Sequence, residues 1–261
     1  MDISLAGKTA LICGSSQGIG KAIAIELASL GASCLLLARN EERLREVVKE
    51  LPRQEHQEHF FFVADFQDLP SLERVLSTIT ATHAVDILIN NTGGPAAGPI
   101  ATASPFEFEN AFRQHLVCNH LIAQALVPGM KEKGWGRIIN IISTSVRIPL
   151  DNLGVSNTIR AAVASWSKTM SNELAQYGIT INSLLPGFIS TSRLDAVAQS
   201  FASRDGVSKD VMTEKMKSSV PARRFGDPME IAAVAAFVAS PAASYLNGIC
   251  IPVDGGRTGS I

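Results

Sequence analysis

Short apolar runs alternate with amphipathic, helix-length segments along almost the whole chain. The apolar runs lack a regular alternation of polar positions, which indicates strands buried on both faces and hence a parallel sheet covered by helices. The pattern predicts strands at residues 9–13, 33–37, 60–63, 86–89, 137–142, 180–185 and 248–253. It predicts helices at residues 20–30, 41–51, 71–80, 106–130, 156–177 and 227–239. With no linker or repeat, the expected organisation is a single α/β domain over residues 1–261.

Two segments carry more specific signals. The helix at 227–239 has a start signal in Asp227, Pro228 and Glu230, which together form a capping box, and Pro241 is expected to end it. Residues 192–222 are polar, poorly periodic and rich in Ser and Lys. This composition predicts a mobile insertion that covers the substrate as a lid.

Charge and cysteine content exclude several classes of protein. The net charge is −1, so there is no basic field to bind nucleic acid or an anionic membrane surface. The N-terminus lacks a signal-peptide pattern, and no apolar run approaches the ~20 residues of a membrane helix. The four cysteines have no CxxC spacing, so we expect buried thiols, no metal site and a cytoplasmic location.

A glycine-rich turn follows the first predicted strand and opens the first helix. Such glycines let the backbone approach a diphosphate, which then rests on the positive N-terminus of the helix. The pattern is weak by itself, but its place between strand and helix is the one that the chemistry requires. The turn predicts dinucleotide binding by Gly14, Ser16, Gln17, Gly18, Ile19 and Gly20.

The end of the second strand indicates which dinucleotide is bound. An acidic residue at position 38 would bind the ribose 2′-hydroxyl of NAD(H), but this residue is Ala38. Arg39 can instead pair with a 2′-phosphate, which favours NADP(H), with NAD(H) as the second choice. The alternative interpretation is that Arg39 is a solvated charge at the start of a surface helix.

Several motifs in their usual order resemble the short-chain dehydrogenase/reductase family over nearly the whole chain. The resemblance implies a doubly wound, Rossmann-like parallel sheet of about seven strands, in a homo-oligomer that is a tetramer or a dimer. The similar segments are the turn at 14–20, Asn90-Asn91-Thr92-Gly93, Pro186-Gly187, Arg224-Phe225-Gly226-Asp227-Pro228 and Val253-Asp254-Gly255-Gly256. By the same resemblance, cofactor contacts are expected at Asp65, Phe66, Asn91, Gly93, Arg160, Pro186, Gly187, Ile189 and Thr191.

The active-site positions depart from that family. Its members use a Ser, a Tyr thirteen residues later and a Lys four residues further on, together with an Asn in the preceding long helix. Ser143 matches the Ser, but Ser156 stands at the Tyr position and Arg160 at the Lys position. His115 aligns with the family's Asn.

These replacements change the proton chemistry. A serine hydroxyl is a far weaker acid than a phenol, whereas Arg160 keeps its charge and can bind ribose hydroxyls or a substrate anion. His115 is the one titratable candidate for a replacement acid, acting directly or through a water held by Ser143 or Ser156. The alternative is that His115 only fills space within its helix.

Two functions remain open at this point. The first is an NADP(H)-dependent oxidoreductase that acts on a small carbonyl/alcohol pair, 3-oxoacyl substrates included, or on a conjugated double bond, with an altered proton donor. The second is a nucleotide-binding protein of this fold with little or no turnover, acting as a sensor or binding subunit. Arg147 and Arg160 together would suit an acidic or thioester-linked substrate, unless Arg147 is a solvated loop charge.

Overall fold

The computed structural model describes residues 1–54 and 56–259 of the chain. Its sheet has seven strands, all paired in parallel, in the order β3-β2-β1-β4-β5-β6-β7 once numbered along the chain. They are β1 (Thr9–Cys13), β2 (Ser33–Ala38), β3 (Phe60–Val63), β4 (Ile87–Asn90), β5 (Gly136–Ile141), β6 (Ile179–Pro186) and β7 (Cys250–Val253). The expectation of a doubly wound parallel sheet is confirmed.

Helices cover both faces of this sheet. Those of the described residues are α1 (Gly18–Ser29), α2 (Glu41–Glu50), α3 (Leu69–Thr82), α4 (Pro105–Phe112), α5 (Cys118–Lys133), α6 (Gly154–Leu174), α7 (Ser192–Asp205), α8 (Lys209–Ser218) and α9 (Pro228–Ala239). A π-helical turn, Arg113–Val117, joins α4 to α5. None of these helices is both long and apolar enough to cross a membrane.

The central strands are mostly apolar because each face of the sheet meets a helical layer, and the polar residues of β5 and β6, such as Asn140, Asn182 and Ser183, are buried as well. In β1, Ala10 and Ile12 belong to the cluster that includes α1 and α9, while Leu11 and Cys13 belong to the cluster that includes α3 and α5. Alternate side chains of a strand point to opposite faces, so a strand covered on both sides shows no regular alternation of apolar and polar positions. Helices α1 and α9 meet largely through alanines, which allow a close approach of the two helices.

The strand order reverses between β1 and β4. In such sheets the loops leaving two neighbouring strands run to opposite sides, so a crevice opens at the carboxyl ends of those strands. The glycine-rich turn after β1 and the Asn90-Asn91 segment at the end of β4 therefore face each other across that crevice. The topology brings together two motifs that are about 75 residues apart in the sequence.

Several helix and strand boundaries differ from the sequence-based predictions by one to three residues, and three of the differences have a physical reason. Helix α1 begins at Gly18 rather than residue 20, because Gln17 is already the N-cap. The predicted helix at 106–130 is interrupted by the π turn, which hydrophobic spacing alone does not reveal. The segment at 192–222 forms α7 and α8, which pack on each other through a small apolar cluster, so it is ordered rather than irregular.

The described cysteines are all free thiols. Cys13, Cys34 and Cys118 are buried, and Cys250 is half-buried. Burial raises the pKa of Cys34 and of Cys118 to about 12, so both stay protonated and unreactive at neutral pH. These thiols therefore serve as small apolar core residues.

We expect Asp227→Ala to lower the free energy of unfolding by about 1 kcal/mol, because a helix capping box is lost. Asp227 accepts a bond of 2.8 Å from the Met229 N–H, and Glu230 accepts one of 2.8 Å from the Asp227 N–H. Urea unfolding measures the change. Glu46→Ala, at an exposed position inside α2, is the control and should stay within about 0.5 kcal/mol. Equal effects of the two variants would contradict the capping role.

Candidate functional site

A cavity of about 740 Å³ runs along the carboxyl ends of the strands, across the point where the strand order reverses. Its volume lies in the range of sites that bury a small molecule or cofactor. The glycine-rich turn lines its middle, residues after β2 and β3 line one end, and residues after β5 and β6 line the other. The cavity therefore joins a nucleotide-sized groove to the positions at which the sequence predicts chemistry.

Backbone geometry holds the glycine-rich turn open. Gly14 has φ +60°, and its N–H donates to the Leu37 carbonyl at 2.8 Å. The Asn91 side-chain amide donates to the carbonyls of Cys13 (3.3 Å) and Gly14 (3.2 Å), which ties the turn to the end of β4. Buried Ser15, which sequence reasoning did not single out, accepts a bond of 3.1 Å from the Leu37 N–H. The turn is thus fixed by β2 and β4 before any ligand binds.

Gly20, which the motif predicts as a cofactor contact, does not itself line the cavity. A Cβ on Gly20 would overlap the Gly14 carbonyl oxygen, and one on Gly14 would overlap the Asn91 carbonyl oxygen. Gly20 is therefore needed so that α1 can pack tightly against the turn. A Cβ on Gly93, by contrast, would meet nothing within 4 Å, which leaves room for a bound group there.

The other predicted cofactor residues all border this cavity. Gly18 meets Thr191, since a Cβ on Gly18 would lie 3.3 Å from the Thr191 methyl carbon. Thr191 is the N-cap of α7, and its hydroxyl accepts a bond of 3.3 Å from the Leu194 N–H. The remaining residues in the lining are Ser16, Gln17, Ile19, Arg39, Asp65, Phe66, Asn91, Gly93, Arg160, Pro186, Gly187 and Ile189.

One end of the cavity carries two arginines. Arg39, two-thirds exposed, lies 4.0 Å from Asp65 and beside buried Ala38. Arg43, which sequence reasoning missed, also lines this end and donates to the Gln17 side-chain oxygen at 2.5 Å. Arg43 lies in the first turn of α2, directly after the loop that carries Arg39, and a second arginine so soon after the end of β2 was the available signal. The two guanidinium groups give this end of the cavity a basic rim that would attract a phosphate.

Ser143, Ser156 and Arg160 line the other end. The Ser143 hydroxyl oxygen accepts a bond of 3.1 Å from the Ser145 N–H, which leaves its own proton free to donate. Ser156 and Arg160 lie one turn apart on α6, so they share a face of that helix. Arg160 donates to the Ile141 carbonyl at 2.9 Å. Burial, with Arg193 nearby, lowers the pKa of Arg160 to about 10, so Arg160 remains charged at neutral pH.

No phenol replaces the missing one within the described part of the chain. Tyr177 and Tyr245 are exposed at the surface and absent from the cavity lining. The acid–base group that the sequence nominates as a replacement is His115, which lies on the π turn between α4 and α5.

His115 lies behind the cavity rather than in it, which argues against the hypothesis that it is the proton donor. Its ring is 2% exposed, and Nδ1 lies 2.5 Å from the Thr92 hydroxyl. Burial, followed by the charges of Arg160 and Arg193, lowers its pKa to about 2. The ring is therefore neutral at physiological pH and carries no imidazolium proton to give.

Arg147 also departs from its predicted role. It is exposed and lines a separate pocket beside Lys168, Ser183 and Cys250. It therefore does not share a substrate-binding site with Arg160. The second arginine beside Arg160 is Arg193, from the first turn of α7.

A parallel sheet whose strand order reverses at a glycine-rich turn, with a cavity across that point, defines a dinucleotide-binding protein. Comparison with known proteins agrees. Residues 14–258 match the family described as Enoyl-(Acyl carrier protein) reductase. The chain is 35% identical over 257 residues to the NADPH-dependent reductase BacG of Bacillus subtilis, covering 97% of this chain and 99% of BacG. It is 30% identical to the 3-oxoacyl-[acyl-carrier-protein] reductase FabG of Aquifex aeolicus, covering 98% and 99%.

Solved structures show the same relationship. YwfH, an NADPH dependent reductase involved in bacilysin biosynthesis, superposes with a TM-score of 0.91 at 32% identity, covering 97% of this chain and 99% of YwfH. L-sorbose reductase from Gluconobacter frateurii, complexed with NADPH and L-sorbose, gives 0.93 at 30% identity with full coverage of both chains. The chain therefore belongs to the short-chain dehydrogenase/reductase family, as its motifs indicated.

The buried state of His115 predicts a pH dependence of stability. Its pKa is about 2 in the folded protein, against an ordinary value of 6.5, so below pH 6.5 the unfolded chain binds a proton that the folded chain does not. Stability contributed by the neutral ring is fully present above pH 6.5 and is lost as the pH falls below it, by up to about 1.4 kcal/mol per pH unit. Urea unfolding from pH 7.5 to 5 measures this loss.

His115→Asn should reduce the number of protons taken up on unfolding at low pH by nearly one, and so flatten the pH dependence, while it keeps a polar group beside Thr92. The matched control is His56→Asn, since His56 is an exposed residue with φ +69°, a conformation that Asn accepts. An unchanged slope in His115→Asn would show that the ring is protonated in the folded protein and would restore it as a candidate acid.

Proposed function

We propose that this protein is an NADP(H)-dependent oxidoreductase that transfers a hydride to or from a small carbonyl/alcohol or conjugated substrate without a tyrosine acid. The observation that supports this most is one continuous cavity with a basic rim at one end and Ser143, Ser156 and Arg160 at the other. The NADPH dependence stated for BacG and YwfH supports the same cofactor here.

The residues divide the cofactor's binding between them. Arg39 and Arg43 would bind the 2′-phosphate, and the N-terminus of α1 after Gly14 would bind the diphosphate. Pro186 and Gly187, at the end of β6, would border the nicotinamide. A Cβ on Gly187 would lie 2.7 Å from the Asp254 Cβ, so glycine is needed for this segment to pass close to the chain after β7. When bound, NADPH supplies the hydride.

Arg160 and the two serines act on the oxygen of the substrate. The Ser143 hydroxyl, with its proton free, donates to the substrate oxygen and orients it, and Ser156 borders the same space. The fixed charge of Arg160 stabilises the negative charge that develops on that oxygen. The proton reaches the product from water, because a serine hydroxyl is too weak an acid to supply it alone.

Two substrate classes suit this arrangement. One is a 3-oxoacyl-type or other small carbonyl, the substrate class named for the FabG relatives. The other is a conjugated double bond, for which reduction leaves a delocalised enolate that needs less help from an acid. NADPH oxidation measured against a panel of ketones, quinones and enones decides between them. Tight NADPH binding with no turnover on any compound would instead favour a binding or sensor protein.

A cytoplasmic homo-oligomer, a tetramer or a dimer, is part of this proposal. The outer edge of β7 and its surroundings expose Phe237, Tyr245 and Ile249, which a partner subunit would cover. The free thiols suit a reducing compartment. A monomer in light scattering at micromolar concentration would refute the oligomer.

Arg39→Asp should shift the ratio of the NADPH and NADH dissociation constants toward NADH by at least about tenfold. The variant removes a phosphate-binding charge, and its carboxylate can accept a bond from the ribose 2′-hydroxyl. Fluorescence titration of both cofactors measures the ratio. Arg43→Gln should weaken the binding of NADPH but not that of NADH. The control is Arg45→Gln, on the same helix but paired with Glu41, which should change neither dissociation constant. An unchanged ratio in both rim variants would remove the 2′-phosphate site from this end.

Ser143→Ala should lower kcat by roughly 10²- to 10³-fold and leave the NADPH dissociation constant within about twofold, because one donor to the developing oxyanion is lost. Steady-state kinetics on the best compound of the panel, together with cofactor titration, measure both quantities. Ser165→Ala, at an exposed position of α6, should leave kcat unchanged. Full activity in Ser143→Ala would contradict the role given to this hydroxyl.

A further inference from the structure

Two arginines from different helices converge at the reactive end of the cavity. Arg160 comes from α6, and Arg193 comes from the first turn of α7, which covers the cavity. Their side chains meet beside Gly94: a Cβ on Gly94 would lie 3.2 Å from Nη2 of Arg193 and 3.5 Å from Nη2 of Arg160. The two guanidinium groups thus approach the same point from two different helices, with Arg160 half-buried and Arg193 exposed.

This pair has no counter-ion among residues 1–54 and 56–259. Neither guanidinium lies within 4.0 Å of a carboxylate in that part of the chain. The one carboxylate in the described lining of the cavity is Asp65, which lies near Arg39 at the opposite end. The proximity of Arg193 also lowers the pKa of Arg160, the sign expected for two like charges held together.

Each guanidinium is held by a single backbone carbonyl. Arg193 donates to the Pro95 carbonyl at 2.6 Å, and Arg160 donates to the Ile141 carbonyl at 2.9 Å. These bonds fix the orientation of the two guanidinium groups. Within the described residues, the other N–H groups of both side chains have no protein acceptor. Two positioned forks with spare donors suit a planar anion such as a carboxylate.

We propose that Arg160 and Arg193 form an anion subsite that binds a carboxylate of the substrate, so that the protein acts on oxo acids or unsaturated acids. This deepens the proposed function and rests on it only for the reaction itself. Ser143 and Ser156 line the same end of the cavity. A substrate anchored there by its carboxylate would place a nearby carbonyl or double bond within reach of both hydroxyls.

The cofactor diphosphate is the competing source of an anion at this pair. Its expected place is the N-terminus of α1 after β1, whereas Arg160 projects from α6 beside β5, two strands further along the sheet. Two strand spacings amount to roughly 10 Å. The position of Arg193 does not separate the two anions, because Thr191, two residues earlier, touches Gly18 of the diphosphate turn. The experiment therefore measures cofactor and carboxylate affinity separately.

The test measures binding to the complex with NADP⁺, so that no turnover is needed. Calorimetry compares 2-oxo and 4-oxo acids of four to eight carbons with their methyl esters. We expect the best acid to bind at least about tenfold more tightly than its ester, the size of a charge-assisted hydrogen bond in fold-change. Arg193→Gln should abolish that preference and change NADP⁺ affinity by less than twofold. Arg193→Lys should retain part of the preference.

Arg204→Gln is the control, because Arg204 lies on the same helix, is exposed and is paired with Asp205. It should leave the acid/ester ratio unchanged. The proposal is overturned if no acid in the series is preferred over its ester. It is also overturned if Arg193→Gln weakens NADP⁺ as much as it weakens the acid, which would assign the pair to the diphosphate. A clear acid preference without turnover on any oxo acid would refute reduction of these oxo acids and leave the anion subsite standing.

Discussion

The bond from the Asn91 amide to the carbonyls of Cys13 and Gly14 is the interaction on which the site depends. It crosses the place where the strand order reverses and locks the end of β1 to the end of β4. With those carbonyls occupied, the backbone leaves β1 in a turn that opens onto the N-terminus of α1. The groove for a diphosphate is therefore a consequence of strand topology and exists before any ligand binds.

The charges of the cavity follow the same topology. The strand order places the ends of β2 and β3 on one side of the turn and those of β5 and β6 on the other, and basic residues gather at both ends. Arg39 and Arg43 face solvent at the outer rim. A charged side chain loses little hydration there, and a phosphate can exchange readily with the solvent. Arg160 is half-buried, where an unpaired cation is costly and an anion gains more from binding, and the exposed Arg193 adds a second charge beside it. The two ends thus suit different anions.

Periodicity and glycine spacing predict the sheet and the diphosphate turn, because both depend on local backbone rules. The seven strands appear in the sequence as apolar runs, and Gly14 requires its positive φ wherever the rest of the chain lies. Contacts between segments that are distant in the sequence are harder to predict from it. Nothing near Arg193 in the sequence indicates that α7 places this side chain beside Gly94. In the same way, the sequence makes His115 a plausible acid–base candidate, and only the structure shows that it is buried. Gly20 lies between these two cases. The motif identifies it, but only the structure shows that it lets α1 pack against the turn.

The loss of the phenol and the retention of a cation change which substrates this site can serve. A tyrosine acid removes the negative charge of a reduced carbonyl by delivering a proton, so it suits products that would otherwise be strongly basic alkoxides. Arg160 cannot deliver a proton at neutral pH, but it lowers the energy of a charge that persists until water protonates it. The advantage is greatest where that charge is already spread over several atoms, as in an enolate. A carboxylate held by Arg160 and Arg193 together would then fix the conjugated system so that its oxygen stays within reach of the Arg160 charge.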